Sequence, residues 1–436
     1  MNRTIKATRN DRRIYRLLRS LGPGIITGAS DDDPSGVATY AQAGAAFGYA
    51  TLWTALVTFP MMAAVQLICA RIGLVTGKGI SSLLHQHYSA RVSYLAVLAL
   101  LLANTINAGT DLAAIAAGIN LLVPVPILVL VGPIALLILL IQFFGSYRLI
   151  ARIFSWLSLS LFAYIGAAFY ARPDFAAVLK GTFLPTIRWD GAFIETLLAI
   201  CGTTISPYLF FWQASQEVEE KAHTARSHQR RLTANSENLV NTAWDVNLGM
   251  LFSNVVMYFI ILATAATLHE AGQTDIQTAT EAAEALRPLA GGAATILFAL
   301  GLISTGFLAV PILTTSAAYA VAEVARWKRY SLDEKPWKAK NFYVVIAAST
   351  LIGLAMNFTG INPIRALYWT AVINGFLAGP LLVLIMRIAN NKTIMKKSTN
   401  QPILNALGWI TTVVMFLSAL GLVVTWLFPH FFSSES

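Results

Sequence analysis

The stretch Gly22-Pro-Gly-Ile-Ile-Thr-Gly-Ala-Ser-Asp-Asp-Asp-Pro-Ser-Gly36 decides how this chain folds, because three adjacent carboxylates interrupt an apolar segment. If a helix enters the membrane at Arg19, Asp31 lies about 18 Å along it at ~1.5 Å per residue. Half of a hydrocarbon core is about 15 Å thick. The three aspartates therefore fall near the midplane, where each carboxylate costs at least about 2.5 kcal/mol. Such a cluster predicts a cation or water facing it.

An alternative places these aspartates at the membrane surface, where they would cap a helix over residues 37–47. The uncharged residues 34–48 are too few to cross a bilayer alone, since a spanning helix needs about 20 residues. Pro34 and Gly36 are both poor helix residues. The pattern therefore favours a helix broken near the midplane, whose freed carbonyls can bind a cation.

The rest of the chain has the composition of an all-α integral membrane protein. Of its 436 residues 56% are hydrophobic and only 12% are charged, whereas soluble domains average about 25% charged residues. This excludes a soluble enzyme and a disordered chain, and continuous apolar runs argue against a membrane barrel. Beginning with the broken segment, we predict about eleven transmembrane helices, the others near residues 49–71, 92–121, 126–145, 149–171, 191–216, 242–268, 291–322, 342–357, 364–386 and 403–428.

The basic residues orient these spans. With a cytoplasmic N-terminus, 26 of the 31 Lys and Arg lie on the cytoplasmic side, which is a strong positive-inside pattern. We therefore expect a multi-pass protein of a prokaryotic inner membrane with an external C-terminus. The net charge of +10 then reports topology, and no nucleic-acid partner is expected. The expected partners are the lipid bilayer and divalent metal ions; the oligomeric state stays open, and a monomer is consistent with the sequence.

A second span is interrupted at the matching place. The stretch Ala199-Ile-Cys-Gly-Thr-Thr-Ile-Ser-Pro-Tyr208 contains Pro207, which follows Pro34 by 173 residues. Each proline lies in the first helix of a five-helix unit, and an odd number of helices inverts the second unit. Paired interrupted spans indicate a midplane substrate site in a transporter. The predicted organisation is a basic arm (1–20), a first repeat with spans one to five (21–171), an external loop (172–190), a second repeat with spans six to ten (191–389), and span eleven with an external C-terminus (390–436).

The polar groups near the two breaks all offer oxygen. The candidate metal ligands are Asp31, Asp32 and Asp33, the carbonyls near Ser30 and Thr203, and the hydroxyls of Thr204 and Ser206. Hard cations such as Mg²⁺ prefer oxygen ligands. None of the nine methionines lies in either break. We expect no cofactor and no enzymatic activity, since no convincing nucleophile and base pair is present.

Three polar residues in other spans are further candidates. Asn104 and Asp111 lie in span three, and Asn374 lies in span ten. A lone intramembrane acid is a functional hypothesis by default. Asp111 equally fits a structural pairing with a hydroxyl or with a basic residue such as Arg365, and the sequence leaves these alternatives open.

Three stretches resemble the Nramp divalent-metal transporters. Asp33-Pro-Ser-Gly36, followed by Gln42-Ala-Gly44 and Phe47-Gly-Tyr49, is similar to the family's Asp-Pro-Gly-Asn and the Gln-Ala-Gly-Ala…Phe-Gly-Tyr run after it. Thr203-Thr-Ile-Ser-Pro-Tyr208 occupies the place of the family's Ala-x-x-Met-Pro-His, and Thr110-Asp-Leu-Ala113 looks like its third span. The resemblance implies eleven spans, a LeuT-like 5+5 inverted repeat with helices 1 and 6 broken, and divalent-cation transport by alternating access.

The departures from the family pattern point to a divergent branch. The family aspartate matches Asp33, and the family asparagine matches Gly36. The family's metal-binding methionine matches Ser206, and its two histidines match Tyr208 and Gln213. Two glutamates linked to proton movement match Asn104 and Ala114. The pattern is similar to the Nramp-related magnesium transporters, which implies a wider site, a partly hydrated Mg²⁺ that Mn²⁺ can replace, and no proton coupling. Asp31 and Asp32 have no counterpart in ordinary members.

We therefore expect an importer of divalent cations, most favourably Mg²⁺. Its metal ligands would be Asp33, Asp32, Asp31, Ser30, Thr203 and Ser206. Supporting or pathway roles fall to Gly36, Thr204, Pro207, Tyr208, Gln213, Asn374, Asn104 and Asp111. The alternatives are a proton-coupled Mn²⁺/Fe²⁺ Nramp transporter and an amino-acid transporter of the same fold, whose substrate carboxylate three aspartates would repel.

Overall fold

The computed structural model describes residues 23–145, 156, 158–228, 236–332 and 334–428, and the regular elements in these ranges are helices. The helices are α1 (Pro23–Asp31), α2 (Pro34–Phe47), α3 (Trp53–Thr76), α4 (Ile80–His87), α5 (Ala90–Leu122), α6 (Ile127–Phe144), α7 (Ala163–Tyr170), α8 (Phe175–Phe183), α9 (Gly191–Thr204), α10 (Pro207–His228), α11 (Ser236–Thr264), α12 (Ala279–Glu284), α13 (Arg287–Ala290), α14 (Ala294–Val324), α15 (Lys340–Met356), α16 (Pro363–Asn390), α17 (Lys392–Met395) and α18 (Pro402–Leu427).

Most of the predicted spans appear as long apolar helices. Within the described ranges, 9 segments are long and apolar enough to cross a membrane: α3, α5, α6, α9 with α10, α11, α13 with α14, α15, α16 and α18. The first predicted span is the pair α1 and α2. The fifth lies partly outside the described residues, which include only its second half as a 3₁₀ turn (Ser158–Phe162) and α7. The all-helical membrane fold is confirmed, while the count of eleven spans remains a prediction.

The first helix break lies at the three aspartates. Helix α1 ends at Asp31 and α2 begins at Pro34, which suits a first helical position because that position needs no N–H. Asp33 is the N-cap of α2, and its carboxylate accepts a hydrogen bond from the backbone N–H of Gly36. All three carboxylates are at most 1% exposed, so they lie inside the bundle, and Asp33 caps α2 as the surface-cap alternative expects. The depth of the three aspartates in the membrane remains a prediction.

The second helix break lies just before Pro207. Helix α9 ends at Thr204 and α10 begins at Pro207, so that Ile205 and Ser206 are unwound. A proline within a helix lacks the N–H for the backbone ladder and clashes with the preceding turn. Both helix breaks that the sequence predicts are therefore present in the fold.

Both broken helices approach their neighbours through glycine. A Cβ on Gly28 of α1 would lie 2.2 Å from the carbonyl oxygen of Gly249 on α11. A Cβ on Gly202 of α9 would lie 2.0 Å from the carbonyl oxygen of Ala371 on α16. Small residues allow such close backbone packing between membrane helices. These contacts fix the breaks among other helices and away from lipid.

The degree of enclosure separates central helices from peripheral ones. In the segment Gly191–Ala222, which contains the second break, 89% of the most apolar stretch of 18 residues is buried inside the protein. The same fraction is 28% for both α6 and α18. Apolar side chains on α6 and α18 therefore form lipid-facing surface. The site between the breaks lies in the enclosed part of the bundle.

One end of the bundle contains residues 77–89 and 391–401. We call this end of the bundle the basic end. The Arg71 guanidinium at the end of α3 donates to the carbonyls of Ser398 and Thr399, at 3.1 and 3.3 Å. The Lys221 ammonium of α10 donates to the carbonyl of Leu74 at 2.8 Å. These contacts join the loops that the sequence predicts to be cytoplasmic.

Candidate cation site between the two helix breaks

Asp33 is the best-supported carboxylate of the cluster. Its Oδ1 accepts hydrogen bonds from the Ser35 hydroxyl at 2.6 Å and from the Gly36 N–H at 2.8 Å. Its Oδ2 accepts from the Asn107 amide on α5 at 3.0 Å. These neutral donors hold the side chain in place and leave its negative charge uncompensated.

Asp31 and Asp32 share a single donor. The Ser253 hydroxyl on α11 lies 2.6 Å from Asp31 Oδ2 and 3.1 Å from Asp32 Oδ1. A serine hydroxyl has only one proton to donate, so it serves one of the two carboxylates at a time. The other oxygens, Asp31 Oδ1 and Asp32 Oδ2, have no hydrogen-bond partner among the described residues.

Tyr208 connects the two breaks. This residue follows Pro207 in α10, and its hydroxyl donates to the Ser30 carbonyl at 2.8 Å while also lying 3.4 Å from Asp33 Oδ2. The Ser30 carbonyl, which the sequence nominates as a metal ligand, is therefore hydrogen-bonded to the opposite half of the molecule. A single side chain of the second break thus contacts both the backbone and a carboxylate of the first.

The polar groups of the second break bond mostly to their own backbone. The Ser206 hydroxyl donates to the carbonyls of Gly202 and Thr203, at 3.0 and 2.5 Å. The Thr204 hydroxyl donates to the Ile200 carbonyl at 2.8 Å. Neither hydroxyl is hydrogen-bonded to the aspartates, so this conformation does not bring them into the cluster as ligands.

Gly36 leaves room where the two breaks meet. A Cβ at this position would lie 3.1 Å from the Thr203 hydroxyl oxygen and 3.5 Å from the Asp31 carbonyl. Thr203 is therefore directly opposite the start of α2, and a longer side chain at position 36 would press against it. The hydroxyl of Thr203 thus lies beside the start of α2, whereas its carbonyl, which the sequence nominates as a ligand, accepts a hydrogen bond from Ser206.

Asp111 is buried without either of the expected structural partners. Neither of its carboxylate oxygens has a hydrogen-bond partner among the residues that the structure describes. Arg365 instead lies 3.9 Å from Asp275, and both side chains are exposed. The structural pairing of Asp111 with Arg365 is therefore wrong.

The remaining candidates lie outside the hydrogen-bonded cluster. The Asn104 amide donates to the Leu313 carbonyl of α14 at 2.9 Å, a contact between two helices. Gln213 accepts from the Thr27 hydroxyl at 2.6 Å and donates to Glu217 at 3.0 Å. Asn374 is buried on α16, and its amide nitrogen has no partner among the described residues. Pro207 acts through the backbone, by starting α10.

Two residues contact the aspartates in a way that the sequence does not predict. Ser253 is a serine in an apolar helix, where hydroxyls commonly bond to their own backbone. Asn107 precedes Asp111 by four residues, which places both on one face of α5, but only the structure aims its amide at Asp33.

The assembled site is acidic, enclosed and poor in positive charge. In the described part of the chain, no Lys, Arg or His lies within 4.0 Å of Asp31, Asp32, Asp33 or Asp111. Nor do three Asp, Glu, His or Cys side chains converge there tightly enough to hold a bare metal ion. Buried charges need a partner. A cation is therefore the complementary ligand for this cluster.

Comparison with known proteins is consistent with this architecture. The family model described as natural resistance-associated macrophage protein-like, Nramp, matches residues 24–425. A crystal structure of a mutant Eremococcus coleocola manganese transporter is 18% identical, with a TM-score of 0.74 over 99% of this chain and 91% of that one. The same transporter in complex with an aromatic bis-isothiourea compound is 17% identical, with a TM-score of 0.77 over 100% and 92%. Mhp1, a nucleobase-cation-symport-1 family transporter in a closed conformation, is 15% identical, with a TM-score of 0.57 over 93% and 91%.

Proposed function

The chain belongs to the Nramp family of membrane transporters, and on that premise we propose that it imports a divalent metal cation, with Mg²⁺ as its preferred substrate. The observation that carries this proposal is the buried cluster Asp31–Asp33, which no cationic side chain of the described residues neutralises. A divalent cation offers the missing positive charge and leaves again during transport.

The donor set favours a hard cation. The hydrogen-bonding groups around the cluster are hydroxyls, amides and backbone groups. Ser206 stands where the resemblance places a metal-binding methionine, so the thioether that favours softer ions is replaced by oxygen. Mg²⁺ dehydrates reluctantly and usually keeps several waters, which agrees with carboxylates too dispersed for a bare ion. Mn²⁺ accepts oxygen ligands as well and is the expected second substrate.

The proposed roles follow from the contacts. Asp33 would bind the ion most directly, because donors from Ser35, Gly36 and Asn107 already hold its side chain in position. Asp31 and Asp32 would act through water, since each keeps a free carboxylate oxygen. Ser30, Thr203 and Ser206 would offer oxygen to hydration waters once their present hydrogen bonds rearrange.

Transport would proceed by alternating access around the two breaks. A rocking motion of the broken helices moves a fixed midplane site from one side of the membrane to the other. The contact between the Tyr208 hydroxyl and the Ser30 carbonyl joins those two helices. We expect it to lengthen when the site opens to either side.

We further propose that transport is not coupled to protons. Tyr208 and Gln213 stand where the resemblance places two histidines, and neither side chain titrates near neutral pH. The proposed location is a prokaryotic inner membrane with the N-terminus in the cytoplasm, on the basis of the positive-inside pattern.

Uptake by the purified protein in liposomes tests this function. Liposomes that contain an Mg²⁺-sensitive dye should report Mg²⁺ entry, and added Mn²⁺ should compete with it. A second, pH-sensitive dye should show that the liposome interior does not become more acidic. Acidification during Mn²⁺ entry would instead support the proton-coupled alternative. Inhibition by amino acids, with no ion entry, would support the amino-acid transporter.

A further inference from the structure

A polar cleft lies at the basic end, and none of its lining residues belongs to the helix breaks. It has a volume of about 530 Å³ and lies between the loop that precedes α5, the end of α16 and the start of α18. Besides Met386, the lining side chains are one cation, two aromatic rings and three amides: Arg387, Tyr88, Trp409, Asn390, Asn391 and Asn405. This combination is unlike the carboxylate cluster and points to a ligand of opposite charge.

The charge around the cleft is positive and unopposed. Arg387 is exposed, and among the described residues it has no acidic partner within 4.0 Å. The lining residues come from two stretches of sequence, 34–110 and 335–434, that contain no Asp or Glu. Burial raises the pKa of the Tyr88 hydroxyl, and the nearby Arg387 guanidinium opposes that rise. An anion is therefore the complementary ligand.

The depth of Arg387 matches the headgroup layer of a bilayer. Helix α16 has 28 residues, which gives a length of about 42 Å at ~1.5 Å per residue. A hydrocarbon core is about 30 Å thick, so the last turn of α16 extends beyond it. Tyr88 and Trp409 beside Arg387 are the residue types that occupy membrane interfaces. The anion best placed to reach the cleft is therefore part of a lipid.

An apolar track leads from the cleft into the membrane. Trp409, Val413, Phe416 and Leu420 follow each other along one face of α18, and all of them are exposed, by 38 to 58%. Their spacing of three and four residues places them one above the next. Asn405, one turn before Trp409, lies at the cleft end of this face.

We propose that this cleft binds the headgroup of an anionic glycerophospholipid from the leaflet at the basic end. Arg387 pairs with the phosphate, and one acyl chain follows the α18 track. The Asn390 amide already donates to Asn405 Oδ1 at 2.6 Å, so the amide nitrogens of Asn391 and Asn405 are the groups that bond to headgroup oxygens. Basic pockets between membrane helices are known binding sites for such headgroups. The bound lipid links α16 and α18 to the loop at Tyr88.

Native mass spectrometry of the detergent-purified chain tests this site with phosphatidylglycerol as the probe. Arg387→Gln should weaken phosphatidylglycerol binding about fivefold, the effect of one basic residue at an anionic surface. Trp409→Leu should also weaken it by removing the interfacial ring. The control Lys392→Gln removes an exposed charge that does not line the cleft, and binding should change less than twofold.

Three results would overturn the proposal. Equal losses in Arg387→Gln and Lys392→Gln would mean diffuse attraction to the basic end. Equal binding of phosphatidylcholine and phosphatidylglycerol would mean ordinary annular contact. Full displacement of the lipid by inorganic phosphate would mean a site for a free anion without an acyl-chain contribution.

Discussion

The two helix breaks differ in charge, although a proline starts the second half of each. The first contains three buried carboxylates, whose free oxygens and shared donor leave them under-compensated. The second contains hydroxyls that bond to carbonyls of their own helix. The comparison teaches that interruption of a helix does not by itself make an ion site. In our account the first break supplies the charge, and the second supplies a neutral, movable partner.

Removal of the charge of Asp33 should have the largest effect. Asp33→Asn keeps an oxygen that can cap α2, and Asn107 can turn its unpaired Oδ1 towards the new amide. We expect Mg²⁺ uptake into liposomes to fall at least about thirtyfold, because loss of one partner of a buried charge pair costs about 2–5 kcal/mol.

A matched control separates charge at the site from charge in general. Asp275→Asn removes an exposed carboxylate on a segment that the sequence predicts to be external and should leave uptake unchanged. Equal uptake by Asp33→Asn and wild type, with both chains folded, would refute the proposed role of Asp33.

The neighbouring aspartates should matter less. Asp31→Asn and Asp32→Asn should each weaken Mg²⁺ uptake about tenfold, equivalent to about 1.4 kcal/mol, because each acts through water. The concentration of Mg²⁺ for half-maximal uptake measures this. A complete loss in either variant together with full activity of Asp33→Asn would transfer the principal role to that residue.

A substitution in the neutral break should change selectivity more than activity. Ser206→Met introduces a thioether, which softer ions prefer, and should raise Mn²⁺ uptake relative to Mg²⁺ about fivefold, or about 1 kcal/mol. The ratio of the two initial rates is the measurement, with Ser206→Ala as the control that adds no sulfur. An unchanged ratio in both would place Ser206 outside the ion path.

Removal of the hydrogen-bond donor that Asp31 and Asp32 share should have the smallest effect on Mg²⁺ affinity. Ser253→Ala removes one hydroxyl that serves Asp31 or Asp32. We expect about a threefold change in Mg²⁺ affinity, because a hydrogen bond contributes only about 0.5–1.5 kcal/mol net. A loss as large as that of Asp33→Asn would show that the donor organises the whole cluster.

Much of the fold follows from local features of the sequence. Charge-free runs locate α3, α5, α6, α14 and α16 to within a few residues, because a bilayer demands long helices with internal backbone bonds. The breaks are equally local, since Pro34 and Pro207 end the helices that precede them. The distance to Arg19 predicts a midplane position for Asp31–Asp33, and the structure buries all three side chains inside the bundle.

The pairing of side chains across helices could not be predicted. Asn107, Ser253 and Tyr208 reach the first break from three other helices, and their orientation depends on packing that one sequence does not encode locally. Ser206 illustrates the same limit, since its position by the break suggests a ligand, whereas its hydroxyl bonds to its own backbone. Asp111 and Arg365 are plausible partners by charge alone, but Asp111 has no hydrogen-bond partner among the described residues and Arg365 lies 3.9 Å from Asp275.

Isothermal titration calorimetry of Mg²⁺ into the detergent-purified protein tests the central claim most directly. We expect saturable binding to the wild type and to Asp275→Asn, and no measurable binding to a folded Asp33→Asn. Identical binding by all three proteins would contradict a cation site at the first helix break.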